Sequence, residues 1–293
     1  MEKISIGIPT YNRPDYLKQI LESLLNQSYT NIEIIVSDNC SPDKKVKEVI
    51  DAFIKKDNRI KGFIQKKNIG MISNFEFVLE KSTSDYFMWK ADDDIIEDVD
   101  FLAKLYEKLI NADCDFVFPE GYYLLKDGNR KSILDGVYRE CKNSFDYLSA
   151  FTKSFSCLEF YGLYNLKRFN KNEELRISDD VVCPDLIYLP KLFLNHKVLF
   201  VPETYYIYRH IPNNDTFVRN LNLFNDRQVV MRELIELFSG TEKLNSNERK
   251  EITLNVLHYY EFLMKSHFSI SKLKQKRIVI TNRLKAKLGL GKG

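Results

Sequence analysis

An α/β architecture, a mainly parallel sheet covered by helices and followed by a C-terminal helical appendage, is what this 293-residue sequence predicts. Three observations lead there. Short apolar runs at 4–9, 32–37, 60–65 and 85–90 alternate with stretches of helical periodicity, the order of βαβ units. Each run stops at a polar or glycine-bearing cluster, and in a parallel sheet such clusters gather on one edge, where open α/β sheets bind ligands. Beyond residue 214 the alternation gives way to helical patterns alone. The expected organisation is therefore an α/β domain over 1–214 and a helical region over 215–293, basic from 265.

The elements follow in order. Residues 4–9 end in Thr10-Tyr11-Asn12-Arg13-Pro14, and Pro14 with Asp15 beside it opens a helix. That helix places Leu17, Ile20, Leu21, Leu24 and Leu25 on one face. The strand at 32–37 closes on Asp38-Asn39, and the next helix carries Val46, Val49, Ile50, Phe53 and Ile54. A strand at 60–65 passes through Asn68-Ile69-Gly70 into a helix near 73–81. The buried run 85–90 then enters Asp92-Asp93-Asp94, and Asp98 opens a helix built on Phe101, Leu102, Leu105, Leu109 and Ile110.

In the second half, 115–125 is an aromatic strand, followed by turn signals at Asp127-Gly128 and Asp135-Gly136. Residues 155–166, with Glu159, Tyr161 and Gly162, read as strand and loop. Pro184 and Asp185 open an apolar helix to 194, which Pro190 is expected to kink or shorten. Two strands, 197–203 and 205–210, complete the sheet, and helices are expected at 223–239, 248–265 and 271–288.

Charge and cysteine usage narrow the functions. Of 44 basic groups nine lie in 265–293, a stretch without Asp or Glu, so residues 1–264 are net acidic and duplex nucleic acid is excluded as a partner. Five widely spaced cysteines without a CxxC pair suit reduced thiols better than disulfides or zinc. The first residues lack an apolar signal core and no run approaches about 18 apolar residues, so a soluble, cytoplasmic protein is expected. No G-x-G-x-x-G or P-loop pattern follows any strand.

Three adjacent carboxylates repel one another and stay close only if solvated or neutralised by a cation. At a strand end, Asp92, Asp93 and Asp94 are hard oxygen donors suited to Mg²⁺ or Mn²⁺ with a diphosphate completing the shell. With Lys90 as their one basic neighbour in sequence, they are expected to face solvent, so that Asp94→Ala removes activity and spares the fold. Asp38 can accept from a uracil or ribose donor group, or form an Asx turn. Tyr11 can stack on a base or cover the helix start; Gly70 can admit a ligand to the backbone or make a turn.

The run Pro9-Thr10-Tyr11-Asn12-Arg13-Pro14, then Val36-Ser37-Asp38-Asn39, Asn68-Ile69-Gly70 and Asp92-Asp93-Asp94, in that order, resembles the GT-A fold glycosyltransferases of family 2 over about residues 1–210. The resemblance implies a Rossmann-like GT-A fold and an inverting transferase that uses a nucleotide-diphospho sugar, UDP-linked, with Mn²⁺ or Mg²⁺. It implies donor contacts from Pro9, Thr10, Tyr11, Asn12, Asp38 (to the base), Asn68, Gly70, Asp92 and Asp93. Arg209 and His210, in a Tyr-x-Arg-x-His-like ending, would close over the diphosphate. Where the family reads Asp-x-Asp-Asp, two registers are open: Lys90 stands at the first aspartate, or Asp92 and Asp94 form the spaced pair that holds the metal.

For an inverting transfer a carboxylate outside the metal motif must accept the acceptor's proton. Asp185 matches the family's acid at a helix start; Asp179, Asp180 and Glu159 are the others. The Gln-x-x-Arg-Trp motif of membrane-embedded synthases is absent, which favours a single addition to a glycan or lipid-linked acceptor in surface polysaccharide synthesis. The basic helix at 271–288, with Ile278, Ile280, Leu284 and Leu288, is expected to rest peripherally on the inner face of an anionic membrane. The alternatives are a catalytically silent nucleotide-sugar binding module and a sugar-phosphate nucleotidyltransferase, the latter wanting a Gly-rich N-terminal loop that is missing.

Overall fold

The computed structural model describes residues 2–125, 127–134, 136–171, 173–177, 184–209 and 222–267. Asp179, Asp180, His210, the 214/215 boundary and the basic helix at 271–288 lie outside the described residues.

Strands β1 (Ile4–Thr10), β2 (Ile32–Asp38), β3 (Ile60–Ile64) and β4 (Tyr86–Trp89) pair in parallel in the order β3-β2-β1-β4. Helices α1 (Pro14–Leu25), α2 (Lys44–Lys56) and α3 (Met71–Glu80) make the crossovers, α1 with Pro14 in its first turn. All seven residues of β1 and of β2 are buried, as a doubly covered parallel sheet requires.

After α4 (Phe101–Asn111) the sheet becomes mixed. β5 (Phe116–Leu124) and β7 (Leu163–Asn165) are antiparallel, as are β7 and β4, so β7 joins the two halves. β6 (Arg130–Ser132) returns antiparallel to β5 on one side. The stretch expected at 155–166 holds a 3-10 turn, Leu158–Tyr161, ahead of β7. Gly162 between them has no room for a side chain, since a Cβ would lie 2.3 Å from the Val117 carbonyl.

Two sequence expectations are corrected here. The two strands at 197–203 and 205–210 are one, β8 (Val198–Arg209), parallel to β5 and interrupted by a bulge where Pro119 pairs Val201 and Glu120 pairs Tyr205. Pro202, Glu203 and Thr204 form that bulge, and pairing with β5 resumes at Tyr205. α6 (Asp185–Asn195) runs its full 11 residues through Pro190, because its residues pack in the core on nearly every side. α5 (Ser144–Ser154) and α6 are in turn covered by α7 (Asn222–Gly240) and α8 (Ser246–His267). Among the described residues no helix is long and apolar enough to cross a membrane.

At the edge opposite the strand-end clusters, Glu33 is buried yet well supplied with donors. Ser5 Oγ donates at 2.5 Å, Thr83 N and Oγ1 at 2.7 Å each, and Lys61 Nζ at 2.6 Å. Burial pushes its carboxyl up, but the bonds from Lys61, Ser5 and Thr83 together outweigh burial and hold it down at about 2. A depressed carboxyl contributes stability that is complete above its unfolded value near 4.5 and is lost as pH falls towards 2. The expected size is on the order of 3 kcal/mol. Denaturant titrations of the parent and Glu33→Gln between these pH values check this: the parent should lose the excess stability and the variant should show a much flatter profile.

Candidate functional site

The site is built at the carboxyl ends of the strands. All four residues of β4 are buried, and its last, Trp89, is clamped from two sides. Its Nε1 donates to the Phe75 carbonyl at 2.9 Å, and its ring stacks on Phe160 with centroids 4.7 Å apart. The next amide, Lys90 N, still bonds Gly7 O at 2.9 Å, so the acidic run leaves the sheet from a fixed point.

The run is not solvent-facing, contrary to expectation: Asp92, Asp93 and Asp94 are 4%, 7% and 2% exposed. They tolerate burial because protein donors replace water. Thr10 Oγ1 donates to Asp92 at 2.6 Å, and Arg13 Nη1 bridges Asp92 at 2.9 Å and Asp93 at 2.8 Å. Burial still pushes the Asp92 carboxyl up to about 6, with Arg13 opposing. Arg13 carried no assigned role in the sequence, although three adjacent acids call for a cation and the β1 loop supplies one.

Asp94 is separate. Lys90 Nζ donates to it at 2.7 Å, with the two side chains 0% and 1% exposed. The ammonium lies 3.4 Å from the centroid of the Tyr206 ring and 5.3 Å from that of Tyr161. Burial lowers the Lys90 pKa and raises that of Asp94 to about 6, each opposed by the partner. Asp94 Oδ1 is buried without a hydrogen-bond partner. Lys90 thus engages Asp94 and shields it from solvent.

Tyr161, whose ring the Lys90 ammonium approaches, is within electrostatic range of Asp185 as well. Burial raises its hydroxyl well above the usual range, and the charges of Asp94, Asp93 and Asp185 add to the shift. Asp185 is the first residue of α6, partly buried, where the helix N-terminus favours a carboxylate. Burial raises its pKa, opposed by a hydrogen bond from Cys157 and by the amides of Asp185 and Leu186. Glu159, another candidate base, is 0% exposed, accepts from Tyr138 Oη and has no partner at Oε2. Burial pushes it up to about 7, and its enclosure makes it a poor collector of a substrate proton.

The other strand-end loops are tied into one assembly. Asp38, 2% exposed, closes an Asx turn, accepting from Ser41 N at 3.1 Å and from Ser41 Oγ. Asn12, at φ 59°, bonds Ser41 Oγ through its amide and receives Asp43 N. Asn39 ties the β2 end to the next loop through Gly70 O at 3.0 Å and Ile69 N at 2.8 Å. Gly70, at φ 87°, caps α3 beside Asn68, whose Oδ1 accepts from Gly70 N. Pro9 pairs Ser37 within the sheet, and Tyr11 is 45% exposed. Arg209 lies over the Tyr16 ring at 4.7 Å and donates to Gln19 at 2.7 Å, on the helix that begins beside Arg13.

The residues fit a divalent cation held by two carboxylates. Asp92 and Asp93 already share one cationic group, Arg13, and so can converge on another. Asp94, expected as the spaced ligand, is held by Lys90 instead. Among the described residues no third His, Cys, Asp or Glu completes a protein-only shell, so diphosphate oxygens and water would fill it, as Mg²⁺-type sites commonly allow.

Comparison with known proteins matches residues 5–172 to "Glycosyl transferase family 2". Glycosyltransferase GlyA of Streptococcus pneumoniae is 29% identical over 71% of this chain, a stretch that spans 30% of that protein. The GalNAc(5)-diNAcBac-PP-undecaprenol beta-1,3-glucosyltransferase of Campylobacter jejuni is 32% identical over 67% of this chain and 63% of that one. The crystal structure of S. aureus TarS 1–349 in complex with UDP-GlcNAc superposes with a TM-score of 0.74 at 16% identity, covering 95% of this chain and 79% of that chain. That likeness establishes the GT-A fold.

Proposed function

Because the chain belongs to glycosyl transferase family 2, we propose that this glycosyltransferase moves a sugar, with inversion, from a UDP-linked donor to a glycan or lipid-linked acceptor in surface polysaccharide synthesis. The observation that carries the proposal is the carboxylate cluster at the carboxyl edge of the sheet, Asp92 and Asp93 bridged by Arg13, with a separate carboxylate, Asp185, at the α6 start. The bound UDP-GlcNAc of TarS supports the donor, and the undecaprenol-linked substrate in the name of the Campylobacter relative supports the acceptor.

In this scheme the acceptor hydroxyl approaches the anomeric carbon from the α6 side and gives its proton to an Asp185 oxygen. The bond from the anomeric carbon to the donor phosphate oxygen breaks on the opposite face, which inverts the centre. Negative charge grows on the departing diphosphate beside Arg13 and Arg209, which suit phosphate oxygens. A divalent cation bound at Asp92 and Asp93 supplies Lewis-acid neutralisation of that leaving group. Asp38 accepts from the base, while Asn12, Asn68 and Gly70 shape the loops around the nucleotide.

Calorimetry with UDP and Mg²⁺ tests the donor half. Asp38→Ala is expected to weaken UDP roughly ten- to hundredfold, the range for one hydrogen bond to a charged group; unchanged affinity returns Asp38 to its turn with Ser41. Donor hydrolysis over a panel of nucleotide sugars, with Mn²⁺ and with EDTA, tests the reaction. Turnover of none of them ends the proposal, and full turnover in EDTA removes the metal.

A further inference from the structure

β5 and β8 lie side by side in parallel, with Gly121 opposite Tyr206 and Tyr123 opposite Tyr208, so these three tyrosines share one face. Lower down that face is covered by the 3-10 turn. A Cβ at Gly121 would lie 2.7 Å from Leu158 Cδ1, and Tyr206 Oη donates to the Leu158 carbonyl at 3.1 Å. Exposure then rises towards the carboxyl edge: Tyr206 is 0% exposed, Tyr208 partly buried and Tyr123 38% exposed. The rings of Tyr123 and Tyr208 meet edge to face, 5.6 Å apart at 85°.

The location is informative. Tyr208 is raised to about 12 by burial first and then by the charges of Asp93 and Asp94, with Tyr123 and Cys157 also in range. Cys157 in turn bonds Asp185. Two residues before Tyr208 on the same face, Tyr206 lies under the Lys90 ammonium that bonds Asp94, and Ile207 bridges Ile95, so the ring pair stands beside the acidic run. Tyr123, the more exposed member, is on β5, which β7 and β4 separate from β1, whereas Tyr208 borders Arg209 and so the nucleotide side.

We propose that Tyr123 and Tyr208 form a platform for a pyranose ring of the acceptor, which lays its apolar C–H face on them while its reactive hydroxyl turns to Asp185. This rests on the transferase reading above and narrows it: the acceptor ends in a saccharide, not in a bare lipid or a protein side chain. Tyrosine suits the task, because it offers a large amphipathic surface at low conformational cost and a hydroxyl for sugar oxygens.

Saturation-transfer NMR with methyl glucoside, methyl galactoside and methyl N-acetylglucosaminide, on protein holding UDP and Mg²⁺, tests the platform. At least one pyranoside should be saturated through its ring C–H protons by the parent. Tyr123→Leu should weaken that glycoside about fivefold or more, and Tyr123→Phe, which keeps the ring, should restore it. UDP affinity measured in the same samples separates the two levels: loss of UDP binding in the parent undoes the transferase reading. With UDP bound, no saturation of any glycoside by the parent, or equal saturation by Tyr123→Leu, overturns the platform alone.

Discussion

Asp185→Asn is expected to lower transfer about 10²–10⁴-fold, the usual contribution of a positioned general base. Asparagine keeps the shape and the hydrogen bonds at the α6 start but cannot take a proton at neutral pH. UDP affinity should hold, because Asp185 opens α6 and takes no part in the Arg13 bridge to Asp92 and Asp93. Single-turnover transfer and UDP calorimetry on the same variant separate the two effects. Equal transfer by variant and parent would pass the role to Asp180, outside the described residues, since Glu159 is sealed in the core.

Asp94→Ala is expected to be a stability mutation before it is a catalytic one. It strands the Lys90 ammonium in a site with 0% exposure and no other carboxylate bonded to it. Breaking a buried pair by removing one partner costs about 3–5 kcal/mol, a large share of a typical domain's stability. The two rings offset part of that, since cation–π contacts contribute about 2 kcal/mol when desolvated. Replacing both partners, as Lys90→Met with Asp94→Leu, should recover most of the loss. Urea unfolding of the parent and the two variants decides: an Asp94→Ala midpoint equal to the parent's would mean that the pair does not hold this corner of the fold.

The strand ends were legible because their signals are local. A proline at a first helical turn, a glycine that must take positive φ and an acidic run after an apolar one each announce themselves within a few residues. Pro14, Gly70 and Asp92 all stand where that logic puts them. What the sequence hid is carried by partners far apart in the chain. Arg13 meets Asp92 and Asp93 across 79 and 80 positions, and no spacing rule links them. The burial of the carboxylates follows from that bridge, so it was hidden too. Lys90 and Asp94 are four apart, a spacing that pairs side chains on helices, but neither lies in one. Likewise the strands expected at 197–203 and 205–210 read as two until β5 is seen beside both.

β7 has only three residues, yet it acts as a ruler. Being antiparallel to both β4 and β5, it leaves those two running the same way. The carboxyl end of β5, with that of β8 beside it, therefore opens on the same edge as Asp92. It also sets how far apart the halves stand: two strand spacings, about 10 Å, from β4 to β5. Because the gauge is backbone geometry, side chains can be exchanged on either flank while the distance between β4 and β5 stays the same.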